Sequence, residues 1–266
     1  AARLKISKKE FPAENDDEQI TAPQRLCAVC RFGTGSMIGS DLLISLLVAV
    51  RDSRLLWDLM GPVYNRRILK PISELYEHVA LEMATNRYEK ILDVGSGRGY
   101  GAIAISKNSP LSRITGIDYS PMQVRAARKY AAKNKVTNCL FHKGNAMSIP
   151  YPDQTFDAAV SIGSIKHWPS PSRGLREIYR VLKQGGCFTV SETDRDVSDQ
   201  ELEEFISRFQ VWFLPDRLLL WGLRHVIFGQ SFSEKELAEM VAQAGFTDLQ
   251  STRVGQCPYV LIQAHK

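Results

Sequence analysis

The residues whose types and spacing could do chemistry gather first in one stretch, Asp93-Val-Gly95-Ser96-Gly97-Arg-Gly99-Tyr100. An apolar run that ends in an acid and breaks into alternating glycines reads as a buried strand turning sharply into a helix. It leaves bare backbone for a ligand to press against. A Walker-type phosphate loop needs Gly, four residues and then Gly-Lys-Ser/Thr, and that pattern is absent. A dinucleotide loop needs Gly-x-Gly-x-x-Gly. Counted from Gly95, the third glycine falls on Tyr100, and only the late register Gly97-x-Gly99-x-x-Ala102 comes near. The register Asp93-x-Gly95-x-Gly97-x-Gly99 fits directly. A second acid, Asp118, ends the next apolar run, from which a carboxylate can accept from both hydroxyls of a ribose. Farther on, His167 is titratable near neutrality and suits acid/base work.

The elements that must position these groups are an alternation of strands and helices. Strands are expected at Lys90–Val94, Arg113–Asp118, Cys139–His142, Phe156–Ile162 and Cys187–Glu192. Ser120-Pro121 makes a helix start, a cap residue followed by proline at the first helical position, with the helix running through Met122–Asn134. A further helix is expected over Gly174–Leu182, closing at Gly185-Gly186. Ser231-Phe-Ser233-Glu-Lys-Glu236 opens another helix with a capping box, ending near Gly245. Thr247–Val254 and Tyr259–Ala264 read as a final antiparallel pair of strands. This rhythm implies a parallel sheet with helices on both faces, an α/β fold. Ahead of it, 1–36 read as an irregular lead-in. Helical spacing over Leu42–Val50, Leu55–Met60 and Ile72–Met83 predicts a helical cap, so 1–87 are set apart from 88–266.

Composition narrows the class. Lysine and arginine exceed aspartate and glutamate by 34 to 29, a net charge of +5, and are spread among the acids. No basic stripe announces nucleic acid. Five cysteines is an odd number in a chain large enough to bury a core, and favours a reducing compartment, the cytoplasm. Cys27-Ala-Val-Cys30 has metal or redox spacing but no second pair, so no metal is expected. The first twenty residues are charged and lack an apolar core, and no secretory leader is read there. The longest apolar runs fall short of the roughly 20 residues that span a bilayer.

Four ordered blocks carry a resemblance: Ile91-Leu-Asp-Val-Gly-Ser-Gly-Arg-Gly99; Gly116-Ile-Asp-Tyr-Ser120; Gly144-Asn-Ala146 with Ile149 to Asp157; and Leu175 to Gly186. Over some hundred residues the chain resembles class I S-adenosylmethionine-dependent methyltransferases. It is most similar to the small-molecule branch with the ubiquinone and menaquinone biosynthesis enzymes. The resemblance implies a Rossmann-like, seven-stranded, mostly parallel sheet. It also implies S-adenosylmethionine as cofactor, bound by Asp93, Gly95, Ser96, Gly97, Gly99, Asp118, Tyr119, Met122, Asn145, Ala146 and Ser161, with Tyr64 and Tyr100 as further contacts. Asn145 stands where the family usually has aspartate, and its carbonyl can still accept from the adenine amino group.

The acceptor side is read from the segment after the fourth strand, Ser161-Ile-Gly-Ser-Ile-Lys-His167-Trp168. It lacks the Asp/Asn-Pro-Pro-Tyr/Phe and Pro-Cys motifs of nucleobase methylation, which points to a small-molecule acceptor. His167 is the candidate acid/base, alongside a structural reading of His-Trp. A lid insertion is expected over 195–230, with Trp168, Trp212, Arg217, Trp221 and Arg224 toward an apolar or aromatic acceptor. Arg217 and Arg224 lie seven apart, on one helical face, so 211–228 also reads as a peripheral membrane contact. RNA or protein methylation, or a non-catalytic relative that keeps the cofactor, are the alternatives.

Overall fold

The computed structural model describes residues 2–3, 44, 72–208, 216–255 and 257–266. The strand Lys90–Val94 (β2) shows why the chain folds around it. Ile91 packs into one core cluster, while Leu92 and Val94 pack into another on the opposite face. All three are fully buried. A strand covered on both faces is apolar where it is buried, and among the four buried residues of β2 the exception is Asp93.

Around β2 run Arg113–Asp118 (β3), Cys139–Lys143 (β4), Phe156–Ile162 (β5), Leu182–Thr193 (β6), Thr247–Arg253 (β7) and Tyr259–His265 (β8). The order across the sheet is β7-β8-β6-β5-β2-β3-β4. Strands β6, β5, β2, β3 and β4 are parallel, while β8 is antiparallel to both β6 and β7. The expected seven strands are therefore present. One short strand more was not foreseen: Ala2–Arg3 (β1), placed in the lead-in, pairs antiparallel along β7 at the edge. From β2 the chain winds outward through β3 and β4 and then returns to β5 on the other side of β2. The crevice between the carboxyl ends of β2 and β5 is the topological switch point, where open α/β sheets bind ligands.

Helices Ser73–Thr85 (α1), Tyr100–Asn108 (α2) and Pro121–Lys133 (α3) contribute to the first core cluster. Helices Pro171–Val181 (α4) and Glu234–Gln243 (α7) contribute to the second. Ser120 caps α3 by accepting from the Gln123 amide at 3.3 Å, with Pro121 in the first turn. Ser233 and Glu236 form the capping box of α7. A second capping box, Ser198 with Glu201, opens Asp199–Ile206 (α5).

Two of the ordered sequence blocks hold each other rather than a ligand. Arg180 on α4 donates to the carbonyls of Ile149 and Tyr151 at 2.9 Å each, while Glu177 accepts from the Ile149 amide at 2.8 Å. Asp157 accepts from the Lys90 amide and pairs with Lys183. The α4 boundary differs from expectation. Pro171 starts the helix earlier, and Leu182 already pairs with Phe156, so Gly185-Gly186 lie within β6 at a register shift and do not end the helix.

The insertion after β6 comprises α5, Asp216–Gly222 (α6) and a π-helical turn over Leu223–Phe228. Leu219, Leu220, Leu223 and Ile227 pack onto the first core cluster. The wider π turn changes the angular phase between Arg217 and Arg224, which the sequence places on one helical face. Arg217 is exposed, whereas Arg224 folds back to the Val197 carbonyl at 2.7 Å and pairs with Asp199. Among the described residues no helix is long and apolar enough to cross a membrane. Tyr64, Trp212, Cys27, Cys30 and the helices expected over 42–50 and 55–60 lie outside the described residues, Ile44 apart.

Candidate active site

The site is built at the carboxyl ends of β2 and β3. Asp93 shares a face of β2 with Ile91, is 3% exposed, and accepts from the Ala102 amide of α2 at 3.1 Å. Burial pushes its carboxyl up to about 7, the Ala102 amide pulls it down, and the neighbouring Asp118 charge adds to the rise. Asp118 ends β3 and accepts from the Gly97 amide at 2.9 Å through one oxygen and the Ser120 amide at 2.8 Å through the other. Burial raises this carboxyl too, against the pull of the two amides. Gly95 and Ser96 both donate to the Ile117 carbonyl at 2.9 Å, which folds the loop over the end of β3.

The three loop glycines do different work. A Cβ on Gly95 would collide with Ser164, and one on Gly99 would collide with the Phe141 ring. Gly97, at φ +51°, has nothing within 4 Å of that position. The open backbone face is therefore at Gly97 alone. Gly99 caps α2 from the left-handed region at φ 79°. The Ser96 hydroxyl is buried without a partner, and Gly116 lets it approach β3.

Tyr119 and Met122 follow Asp118 and are 67% and 42% exposed. Apolar side chains left in solvent beside a carboxylate offer a face for a flat heterocycle. The Lys143 ammonium lies 5.8 Å from the Tyr119 ring centre. Asn145 uses its side-chain carbonyl on its own turn, accepting from the Met147 amide at 3.0 Å, with Ala146 nearly buried between them. A carbonyl oxygen has a second lone pair, so an amino group can still be accepted there. Tyr100 turns into an aromatic cluster, 4.8 Å from the Tyr130 ring and 6.2 Å from Tyr76.

After β5 the chain makes a short 3-10 turn, Ile165–His167, which presents His167 half-buried. Ser161 is fully buried beneath it and exchanges a 2.7 Å hydrogen bond with Ser164. Ser164, which sequence reasoning missed, donates to the Val94 carbonyl at 3.0 Å and so rivets this turn to the glycine loop. The clue was Gly95, whose missing side chain makes the room. Trp168, expected on the acceptor side, is a correction: it is 7% exposed in the second core cluster, over Gly174 and beside Gly95. It supports the loop from below. Trp221 lies half-buried in the lid, 5.4 Å from the His225 ring. Lys166 and Glu192, also missed, form a buried ion pair at 2.9 Å.

A switch-point crevice flanked by two strand-end carboxylates and one open glycine defines a Rossmann-like domain that binds a nucleotide-type cofactor. Residues 86–245 match the methyltransferase domain family, and the chain belongs to it. The family's cofactor is S-adenosylmethionine. The residues present fit it chemically: Asp93 is a buried carboxyl that could pair with an ammonium, and Asp118, with one amide on each oxygen, has lone pairs left for hydroxyl donors. The chain is 33% identical over 195 residues to a chloroplastic 2-methyl-6-phytyl-1,4-hydroquinone methyltransferase of Oryza sativa subsp. japonica, covering 73% of this chain and 49% of the relative. It is 30% identical over 192 residues to a demethylmenaquinone methyltransferase of Geobacillus sp., covering 65% and 77%. The chain spans about half the length of the plant relatives it matches. Among solved structures, the [4+2]-cyclase SpnF superposes with a TM-score of 0.60 at 23% identity, covering 80% of this chain and 94% of that one. That likeness concerns the fold alone.

Proposed function

We propose that the protein transfers a methyl group from S-adenosylmethionine to an electron-rich aromatic small molecule, a hydroquinone-type ring bearing an apolar tail. The observation that carries the reading is the Asp93–Gly97–Asp118 cradle at the β2/β5 switch point. The relatives support the acceptor class: their names specify a phytyl hydroquinone and a demethylmenaquinone. The core is taken as 88–266, with 195–230 as the lid.

When bound, the cofactor supplies an already activated methyl group, so the chain's work is alignment and exclusion of water. Asp93 would receive the ammonium of the methionine end, and the Gly95–Gly99 loop, open at Gly97, would hold that end. Asp118 would take the ribose hydroxyls, Tyr119 and Met122 would cover the adenine, and Asn145 and Ala146 would close its rim. Ser161, through Ser164, holds the loop, and Tyr64 and Tyr100 stay as the further contacts that the family resemblance implies. Orientation of this kind is worth about 7–11 kcal/mol of a barrier. His167 accepts the proton that the acceptor releases.

Arg217, Leu218, Trp221 and Arg224 belong to the lid through which an apolar tail would enter. Arg217 and Leu218 face solvent, in keeping with a lid that works peripherally at a membrane surface. The cytoplasm is the proposed location; the plant relatives are chloroplastic by name.

The test is calorimetry with S-adenosylmethionine and S-adenosylhomocysteine, followed by methyl transfer to a prenylated hydroquinone presented in vesicles. Micromolar binding of both and a methylated product are expected. Binding without transfer to any aromatic acceptor would leave a cofactor-holding relative and sink the proposal. Product formed on RNA or protein would replace the acceptor.

A further inference from the structure

The Lys166–Glu192 pair has no part in the mechanism above. Glu192, near the carboxyl end of β6, accepts from Lys166 Nζ at 2.9 Å and from the Ile165 amide at 2.6 Å. Lys166 also reaches Thr193 Oγ1 at 3.3 Å. The two charged side chains are 5% and 1% exposed. So deep a pair is a poor way to gain stability. Desolvation of both charges consumes most of the attraction, and well-packed apolar replacements of such pairs are often neutral or stabilising.

Its position says more. The turn Ser164–Trp168 is tied to the sheet both near its start and in its middle. At its start, Ser164 is tied to Val94 and Ser161. In its middle, the Ile165 amide and the Lys166 ammonium are tied to the Glu192 carboxylate, with Lys166 reaching Thr193 as well. The first attachment faces the glycine loop; the second directly precedes His167.

We propose that the Lys166–Glu192 pair is a positioning device that fixes the Ile165–His167 turn against β6 and so aims His167 at the acceptor. The proposal rests on the methyltransferase reading of the site. Because Ser164 keeps its own ties, loss of the pair leaves the cofactor side in place and misaligns only the acceptor side. Lys166 and Glu192 are positioning residues, acting through the turn they hold.

The experiment compares wild type with K166M/E192L and E192Q in the full chain, by melting temperature, S-adenosylhomocysteine affinity and kcat for a hydroquinone acceptor. K166M/E192L should melt at or above the wild-type temperature and bind S-adenosylhomocysteine within about threefold of it. Its kcat should fall by about tenfold or more, as an interaction made only on the way to the transition state requires. A folded double variant with wild-type kcat overturns the proposal. So does a loss of kcat and affinity in step with lost folded protein, which would make the pair merely structural. Should the double variant fail to fold, E192Q is judged by the same split, and its failure to fold also overturns the proposal. Wild type that neither binds S-adenosylhomocysteine nor methylates removes the methyltransferase reading itself, a different signature from wild-type kcat in the variants.

Discussion

Asp118 reaches back across the glycine loop and accepts the Gly97 amide at 2.9 Å, so the carboxylate proposed to take the ribose also holds the loop backbone in place. Its other oxygen holds the Ser120 amide at the start of α3. Asp118→Ala should therefore lose two kinds of interaction. Loss of the charge-assisted ribose bonds, about 1.5–3 kcal/mol, should weaken S-adenosylmethionine roughly tenfold to a hundredfold. The freed amides should lower the melting temperature of the cofactor-free protein as well. Asp118→Asn keeps one acceptor oxygen, enough for only one of the two amides, and should recover part of the stability but little of the affinity. Calorimetry beside thermal unfolding separates the two, and equal affinity in Asp118→Ala would remove Asp118 from the site.

Asp93 predicts a pH dependence with a definite sign. Its folded carboxyl titrates near 7, well above its unfolded value, because burial disfavours the charge. The folded state thus holds a proton that the unfolded chain releases. This term favours folding below the ordinary carboxylate range and is lost as pH rises toward 7. The cofactor ammonium has the opposite preference, since it pairs with the ionised form. S-adenosylmethionine affinity should rise by up to about tenfold per pH unit below 7 and level above it. Asp93→Asn, which keeps an oxygen for the Ala102 amide, should bind weakly and without that slope. Calorimetric titrations from about pH 5.5 to about pH 8.5, roughly 1.5 units either side of 7, read both the slope and the plateau.

The alternation that makes β2 a doubly buried strand, and the caps at Ser120 and Ser233, were legible because they depend on neighbours in sequence. The ends of β2 and β3 were legible too, since an acid closing an apolar run has few other uses. What stayed hidden depends on residues far apart. Gly99 and Gly116 both make room for Phe141, so glycine spacing alone overstated how much of the loop lies open to a ligand. Gly185-Gly186 looks like a helix stop, but pairing of Leu182 with Phe156 draws the segment into β6. Lys166 and Glu192 are 26 residues apart, and nothing local marks them as partners.

The glycines give a prediction that follows from their different surroundings. Gly97→Ala meets open space, so its folding cost is the left-handed backbone alone, about 1–2 kcal/mol, and its main effect should be weaker cofactor binding. Gly95→Ala at φ +75° adds a collision with Ser164 and should unfold at a distinctly lower temperature. Thermal melts of the two cofactor-free variants, with S-adenosylhomocysteine affinities beside them, test the ranking. If Gly97→Ala proves the less stable of the two, the loop is not shaped as described.

Trp168 and Gly174 supply a last contrast, between packing and specificity. The indole lies over Gly174 in α4, at a place where even one Cβ would strike the ring. Gly174→Ala should therefore destabilise by about 1–3 kcal/mol through overpacking, although it lies in a helix, where alanine is normally the better residue. Trp168→Ala should cost about 3–5 kcal/mol through the cavity it leaves. Because the ring props the Gly95 end of the loop and not the acceptor, Trp168→Phe should raise the Kd for S-adenosylhomocysteine while leaving the ranking of alternative acceptors unchanged. Urea unfolding of the alanine variants and an acceptor panel with Trp168→Phe read these outcomes. A changed acceptor preference with unchanged cofactor affinity would return Trp168 to the acceptor pocket.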